Sequence, residues 1–274
     1  MSTEARNPRS FGLDKMSAKE IIRLMNEEEQ IVLRAIQSAE EGLANCAEKC
    51  AEAFQSGNRI VYVGAGTSGR IAAMDAAEMP PTFGVSPENF VAIHAGGSAA
   101  TDRAVELAED DDSAAIEAIN DLGIHRKDVV IGIAASGKTP FVVAAVRHAR
   151  AKGAWTCGIA NNKRGPLLLE ADLGILLDTG PEVLTGSTRL KAGTAQKLAL
   201  NRISTAAMVL SGKVLENLMV DVKATNAKLQ ERCIRIVREL APVTSDEAFE
   251  LLEANHWNVR EVVRLANAAH VVPK

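Results

Sequence analysis

The sequence predicts an α/β protein: a doubly wound parallel sheet of about five strands, flanked by helices, with a small helical module at its C-terminal end. Three observations predict this fold. Short apolar runs alternate along the chain with helical patterns. These runs are nearly continuous, which is typical of strands buried on both faces of a parallel sheet. The length of 274 residues is long for one domain and short for two.

The first predicted element is a helical extension over residues 1–51. Ser17 and Glu20 have the spacing of a capping box, in which each residue satisfies a backbone N–H of the first helical turn. A helical tract follows this box, and Gly57 is expected to end it.

The five predicted strands come next and define a central domain over residues 52–214. Pro80 and Pro81 are expected to end the helix that follows the first strand. The predicted strands are 59–65, 90–95, 128–134, 154–160 and 173–178.

Helical patterns occupy the rest of the chain from about Gly193. We predict a linking helix over residues 215–241. Pro242 marks a boundary, and residues 242–274 are expected to form the small helical module.

Composition excludes several classes of function. The net charge of −4 and the pI near 5.8 argue against a protein that coats nucleic acid. Aromatic residues make up 3% of the chain, which argues against recognition by stacking. The four cysteines form no evident metal-ligand set. We therefore expect a cytoplasmic protein with no metal, no membrane partner and no nucleic-acid partner; no secretory signal is evident at the N-terminus.

Gly64, Gly66 and Gly69 follow the first predicted strand with the spacing of a dinucleotide-binding fingerprint. That fingerprint also needs an acid at the end of the second strand, to bind the ribose hydroxyls. The second strand here ends at His94, close to the expected site, and no carboxylate follows it directly. A nicotinamide or flavin role is therefore disfavoured, whereas an anion site at a helix N-terminus is retained.

The segment from Gly132 to Thr139 fits the spacing of a nucleotide-phosphate loop. Such loops usually follow the first strand, whereas this one follows the third, so ATP or GTP binding is disfavoured as well. A Ser-Gly-Lys-Thr turn ahead of a helix can still bind an anion. The carboxyl ends of parallel strands share one edge of the sheet, so one phosphate held between Ser68 and Ser136 would use both turns. Two ordinary glycine turns remain the alternative.

The strings GAGTSGR and AASGKT resemble the sugar isomerase (SIS) sugar-phosphate-binding domain. The resemblance extends to TEARNP near the N-terminus, AAEMPPTFG, AEDD, PEVLTGSTRLKAGTAQK and MVDVKATNAKL. Together these strings are similar to N-acetylmuramic acid 6-phosphate etherases, from about residue 3 to residue 270. The C-terminal residues resemble the small UBA-like module of that family. Met79 and Lys138 depart from its usual pattern, which leaves substrate choice open.

The resemblance implies a lyase that cleaves the C3 D-lactyl ether of N-acetylmuramate 6-phosphate, giving N-acetylglucosamine 6-phosphate and D-lactate. It implies that Glu109 removes the C2 proton and that Glu78 is the proton donor to the departing lactate oxygen. No cofactor is implied. A homodimer with shared active sites is implied, and cell-wall amino-sugar recycling is the implied setting.

Further residues are expected to contact the substrate. Hydroxyls and main-chain N–H groups suit its phosphate, and Glu182 is a candidate for ring opening. The predicted binding residues are Thr67, Ser68, Gly69, Ser136, Gly137, Lys138, Thr139, Glu182, Ser187 and Lys191.

Two rival functions stay open from the sequence. An aldose–ketose isomerase on the same domain also needs a carboxylate base at C2. A non-catalytic sugar-phosphate sensor would bind the same ligand without turnover.

Overall fold

A computed structural model describes residues 2–103, 105 and 107–270 of the chain. These residues contain five strands and eleven α-helices, joined by turns and short 3₁₀ segments. The strands are β1 (Ile60–Gly64), β2 (Phe90–His94), β3 (Val129–Ala134), β4 (Trp155–Ala160) and β5 (Leu173–Leu176). The helices are α1 (Ala18–Ser38), α2 (Glu40–Gln55), α3 (Gly66–Phe83), α4 (Ala99–Asp102), α5 (Asp112–Asp121), α6 (Pro140–Ala151), α7 (Pro166–Glu170), α8 (Lys191–Leu210), α9 (Ala227–Leu240), α10 (Ser245–Ala254) and α11 (Val259–His270).

All five strands pair in parallel, in the order β2-β1-β3-β4-β5. The predicted five-stranded parallel sheet is therefore confirmed. The order reverses at β1, where Gly64 is in register with His94 of β2 on one side and with Ile133 of β3 on the other. This reversal matters for function, because ligands of open α/β sheets bind beyond the carboxyl ends of the strands at such a point.

The central strands are covered on both faces. Every residue of β1 and β3 is buried, and Val61 and Val63 pack in one core with residues of α5 and α6. On β1, Tyr62 lies between these two valines and donates a hydrogen bond of 2.9 Å to Asp75 of α3. Burial on both faces explains why the strands are nearly continuous apolar runs in the sequence.

The N-terminal helical extension begins as predicted but is interrupted. Ser17 and Glu20 form the predicted capping box at the start of α1. Ala39 then leaves helical geometry, so the tract consists of two helices. Near the start of α2, a side chain at Gly42 would lie only 3.3 Å from Ile175 of β5, and glycine therefore allows a close approach of helix and strand.

The helix that follows β1 does not end before the two prolines. Pro80 and Pro81 lie inside α3, which continues to Phe83. Gly84 ends it with a φ of +66°, where a Cβ would lie 2.1 Å from the carbonyl oxygen of Asp221. The prediction was wrong because the effect of proline on its preceding residue is a bias that tertiary contacts can override.

The chain divides into two compact units. The first comprises Met1–Ala77 and Glu88–Ala207, and the second comprises Glu78–Pro87 and Met208–Lys274. Residues 215–226, predicted as part of a linking helix, are irregular, and the helix covers only Ala227–Leu240. In the second unit, α9, α10 and α11 share a core that includes Val237, Leu252 and Val262. The likeness to a UBA-like module stays a prediction.

Over the described part of the chain, no helix has both the length and the apolar character needed to cross a membrane.

Candidate functional site

A cavity of about 400 Å³ lies beyond the C-terminal ends of β1 and β3, where the strand order reverses. It is formed by the turns after the two strands, by the segment before α5, and by single residues from two further segments. Its lining residues are Glu4, Ala65, Gly66, Thr67, Ser68, Glu109, Asp110, Ile133, Ala134, Ala135, Ser136, Lys138, Thr139, Pro140 and Thr188. Six residues that the sequence singled out meet here: Thr67, Ser68, Glu109, Ser136, Lys138 and Thr139.

The first wall of this cavity is the turn from β1 into α3. A Cβ on Gly64 would lie 2.7 Å from the amide nitrogen of Gly69, so only glycine lets the strand end so close to the helix. Ser68 is buried, and its hydroxyl donates a hydrogen bond of 2.8 Å to Gln196. Gln196 in turn donates to Asn161, which follows β4. This chain of hydrogen bonds fixes Ser68 at the start of α3.

The second wall is the turn from β3 into α6. The Ser136 hydroxyl oxygen accepts a hydrogen bond of 3.1 Å from the Lys138 amide. Gly137 has a φ of +66° and packs close to Gly165, so its role lies in the backbone of the turn. Pro140 begins α6 at a position where its missing N–H is not needed. The cavity therefore faces two helix N-termini, whose free N–H groups and dipoles favour an anion.

Glu109 provides a carboxylate at the same cavity. It lies in a short 3₁₀ turn, Ala108–Asp110, directly before α5. Asp111 accepts a hydrogen bond from the Ala114 amide and caps α5, so the acidic run combines a helix cap with a residue that faces the cavity. Leu107 has a φ of +64°, and such backbone strain in a non-glycine residue is concentrated at functional sites.

A smaller cavity of about 140 Å³ shares Ala65, Gly66 and Glu109 with the first. Its walls also include Arg70 and His94, the last residue of β2. His94 is 8% exposed, and neither of its ring nitrogens has a hydrogen-bond partner among the described residues. Burial lowers the pKa of His94, and the nearby Arg70 charge lowers it further, against an opposing effect of the Gly66 backbone.

Gly69, a predicted phosphate ligand, does not line either cavity. A Cβ at this position would lie 2.2 Å from Cδ2 of His94. The third glycine of the fingerprint therefore makes room for the imidazole ring. Ser187 also lies outside both cavities, whereas its neighbour Thr188 lines the larger one.

The structure places Glu182 and Lys191 inside the fold instead of at the cavity. Glu182 is fully buried and accepts hydrogen bonds from the amides of Lys191 (3.1 Å) and Ala192 (2.9 Å), at the first turn of α8. Burial raises the pKa of Glu182, and these two hydrogen bonds only partly offset that rise. Lys191, 2% exposed, pairs through Nζ with Oε2 of the equally buried Glu28 at 2.5 Å. By these contacts, Glu182 caps the start of α8 and Lys191 forms a buried ion pair with Glu28.

Glu28 also holds the N-terminal segment. It accepts hydrogen bonds from Asn7 (2.8 Å) and from Arg9 (2.9 Å). Burial raises the pKa of Glu28, but hydrogen bonds from Lys191 and Asn7 outweigh it and leave the pKa below its usual value. Thr3 completes the attachment, since its hydroxyl accepts a hydrogen bond of 2.8 Å from Asn162.

This attachment brings Glu4 to the larger cavity. The string TEARNP carries part of the family resemblance, but the sequence predicts no role for Glu4. One signal could have identified its anchor: Glu28 continues a stripe formed by Leu24 and Val32 at helical spacing, and all three are buried. A glutamate on the apolar stripe of a helix needs a buried partner.

Glu78 lies on α3 within the second compact unit, and its side chain is exposed. Its role as the proton donor stays a prediction.

Two other features bear on what the site can bind. A third cavity, of about 650 Å³, lies between α1, α2 and β5, and none of its lining residues comes from β1, β3 or the turns that follow them. Among the described residues, no group of three or more His, Cys, Asp or Glu side chains is placed to hold a metal ion. The cavity at the ends of β1 and β3 therefore offers a ligand hydroxyls, helix amides, one lysine and carboxylates.

Known proteins share this chain's domain and most of its length. Residues 42–150 match the glucokinase regulatory protein N-terminal SIS domain, and residues 113–205 match the SIS domain. An N-acetylmuramic acid 6-phosphate etherase from Geobacillus sp. (strain WCH70) is 48% identical over 96% of this chain and 89% of its own. The relative of the same name from Lactobacillus acidophilus is 43% identical over 94% and 87%.

Solved structures are similar at the level of the fold. A phosphosugar isomerase described as putative and involved in capsule formation, from Bacteroides fragilis, superposes with a TM-score of 0.55, at 23% identity over 77% of this chain and 97% of its own. A phosphoheptose isomerase from Francisella tularensis gives a TM-score of 0.54, at 15% identity over 70% and 98%. These matches confirm the predicted SIS fold.

Proposed function

Because the chain belongs to the N-acetylmuramic acid 6-phosphate etherase family, we propose that it cleaves the C3 D-lactyl ether of N-acetylmuramate 6-phosphate. The products are N-acetylglucosamine 6-phosphate and D-lactate, so the protein is a carbon–oxygen lyase. The observation that carries the proposal within the structure is the meeting of two hydroxyl-lined helix N-termini with Glu109 in one cavity.

The phosphate of the substrate binds between the two turns. Thr67, Ser68, Ser136 and Thr139 offer hydroxyls, and the first turns of α3 and α6 offer free N–H groups. Ser68 exchanges its hydrogen bond with Gln196 for one with the ligand when it donates to the phosphate. Lys138, which is exposed at the rim, adds a positive charge. Binding energy at the phosphate orients the sugar carbons for reaction.

Glu109 acts on the sugar. In the open-chain form, the C1 aldehyde acidifies the C2 hydrogen, which Glu109 removes as general base. The C3–O bond then breaks, and a double bond forms between C2 and C3. The departing lactate oxygen takes a proton from Glu78. Water adds across the double bond, with its hydroxyl on C3 and a proton on C2, so the atoms balance as substrate plus water.

Glu4 is a further carboxylate at the cavity, besides Glu109 and Asp110, and the anchored N-terminal segment holds it there. We assign to Glu4 the role in ring opening that the sequence predicted for Glu182, because the Glu182 carboxylate already accepts hydrogen bonds from two amides of α8. As a base for the C1 hydroxyl, Glu4 would assist the exposure of the aldehyde on which C2 deprotonation depends.

The proposal extends to setting and assembly. We place the protein in the cytoplasm, as a homodimer with shared active sites, acting in amino-sugar recycling. All four cysteines are free and buried, which suits a reducing compartment.

Release of D-lactate from N-acetylmuramate 6-phosphate tests the proposal. We expect turnover by the purified protein, and a loss of at least about 100-fold in kcat with Glu109→Gln, the scale of a lost general base. Asp110→Asn is the matched control, because Asp110 lines the same cavity and should keep activity within a few-fold. Absence of lactate would contradict the etherase; conversion of the substrate to a ketose would favour the isomerase, and binding without turnover the sensor.

A further inference from the structure

The smaller cavity is a separate recess that opens where the reaction takes place. It meets the larger cavity at Ala65, Gly66 and Glu109. Its volume of about 140 Å³ suits a group of a few heavy atoms and is too small for a sugar ring with its substituents. A substrate whose phosphate lies in the larger cavity and whose C2 faces Glu109 therefore has one neighbouring substituent to place in the recess.

Two of the side chains that line the otherwise largely apolar recess, Arg70 and His94, have the chemistry to bind a carboxylate. Arg70 carries a planar guanidinium that suits carboxylate geometry, and one of its nitrogens already donates to the Arg103 carbonyl at 3.0 Å, which helps to hold it. His94 is buried with neither ring nitrogen hydrogen-bonded among the described residues. Buried polar groups in native proteins normally have a partner, so an unpartnered imidazole at a recess points to a ligand.

We propose that Arg70 and His94 form the subsite for the carboxylate of the D-lactyl group. The inference rests on the proposed function. The subsite would allow the protein to distinguish a sugar that carries a lactyl ether from one that carries an ordinary hydroxyl. The substrate has two anions: the phosphate meets hydroxyls and helix amides, and the lactyl carboxylate meets the guanidinium and the imidazole. After cleavage, the recess holds the lactate product.

The other substituent near C2 is the acetamido group, which is neutral. It gains less from a guanidinium, because a neutral amide lacks the attraction between opposite charges that a carboxylate adds to its hydrogen bonds. Glu109 also lines the recess, so a lactyl carboxylate bound there lies close to the base that acts at C2.

The test compares two ligands that differ only in the lactyl group. Dissociation constants for N-acetylmuramate 6-phosphate and N-acetylglucosamine 6-phosphate are measured by calorimetry in proteins that also carry Glu109→Gln, to prevent turnover. Arg70→Gln should raise the dissociation constant for N-acetylmuramate 6-phosphate by about 10- to 100-fold, as expected for the loss of a hydrogen bond between charged groups. The dissociation constant for N-acetylglucosamine 6-phosphate should change by less than about twofold.

His94 is tested by a pair of substitutions. His94→Phe fills the same space without a hydrogen-bond donor and should weaken only the lactyl ligand, whereas His94→Gln keeps an N–H group and should restore much of the affinity. Arg147→Ala is the matched control, since Arg147 pairs with Glu170 outside both cavities and should alter neither ligand. If Arg70→Gln does not fold, judged by circular dichroism, Arg70→Lys is used.

Equal weakening of both ligands by Arg70→Gln would overturn the proposal, because the recess would then bind a part that they share. No weakening of either would overturn it as well, because the carboxylate would then bind elsewhere. These results are independent of turnover: if the wild-type protein releases no D-lactate, the etherase proposal fails while the ligand comparison still reports on the recess.

Discussion

Replacing Gly69 with alanine should damage the site through a single steric contact. The new Cβ would lie 2.2 Å from Cδ2, 2.5 Å from Nε2 and 2.8 Å from Cγ of His94. Ordinary contact begins at 3.4 Å, so the ring or the helix must move by about 1.2 Å. His94 is 8% exposed, at the end of a strand of the sheet, so its ring can withdraw only into the recess that it lines.

The magnitude follows from two opposing effects. Alanine is favoured over glycine within a helix by about 1 kcal/mol, which alone would stabilise α3. Overpacking of a filled interior costs about 1–3 kcal/mol. Because the contact is so short, we expect its cost to lie at the upper end of this range, and the free energy of unfolding to fall by about 2 kcal/mol. The affinity for N-acetylmuramate 6-phosphate should fall as well, since the displaced ring belongs to the recess.

Urea denaturation of four proteins measures this effect: wild type, Gly69→Ala, His94→Ala and the double variant. The double variant should be more stable than the sum of the single changes predicts, by at least about 1 kcal/mol, because removing the ring removes the clash. Gly193→Ala is the control, since its Cβ would be 3.4 Å from Thr67, and stability should hold or rise. Additive effects, or a Gly69→Ala protein as stable as wild type, would show that the Cβ of residue 69 does not clash with the ring of His94.

Two further predictions concern the anchored N-terminal segment. Glu28→Gln leaves Lys191 buried without its charge partner and should lower the free energy of unfolding by about 3–5 kcal/mol in urea melts. Because the pKa of Glu28 is lowered in the folded protein, its contribution to stability is present above the unfolded pKa of about 4.3 and is lost as pH falls through the folded pKa. The stability of the Gln variant should therefore fall less steeply below about pH 4.3; a slope equal to wild type would contradict this. Asn7→Ala removes the hydrogen bond to Glu28 and should raise KM or lower kcat by releasing Glu4 from the cavity, while Ser10→Ala should not. Unchanged kinetics in Asn7→Ala would show that Glu4 is not needed.

The sheet was predictable because the burial of its strands leaves a local pattern of apolar residues in the sequence. The central strands are buried on both faces and must be apolar throughout. The partly buried edge strands β2 and β5 are also short apolar runs between turn residues, so all five strands are visible in the sequence. The position of the larger cavity followed from the same pattern. Glycine-hydroxyl turns come directly after β1 and β3, and the carboxyl ends of parallel strands share an edge, so Ser68 and Ser136 had to face the same side.

The buried ion-pair network was not predictable, because it depends on contacts between segments distant in sequence. Lys191 and Glu28 are 163 positions apart. The apolar stripe of α1 marks Glu28 as buried, but nothing local identifies Lys191 as its partner. Resemblance singled out Glu182 and Lys191 as parts of a specific segment, but it could not separate residues that build α8 from residues that contact a ligand. Thr188 and Glu4 were missed for the same reason.

The irregular stretch over residues 215–226 shows a different limit. Its composition does not separate it from the helices on either side, but Glu216 has a φ of +54° and Leu215 forms a single bridge with Leu218. Such geometry is set by tertiary contacts, and helical propensity is too weak to resist them.

The proposed reaction depends on one step, in which Glu109 removes the C2 proton of a bound N-acetylmuramate 6-phosphate before the C3 ether breaks. Turnover in D₂O tests it most directly, with the product N-acetylglucosamine 6-phosphate analysed by mass spectrometry and proton NMR. We expect one deuterium at C2 of essentially every product molecule, and with Glu109→Gln a loss of both deuterium incorporation and lactate release. Product that carries hydrogen from the substrate at C2, or full labelling by Glu109→Gln, would contradict it.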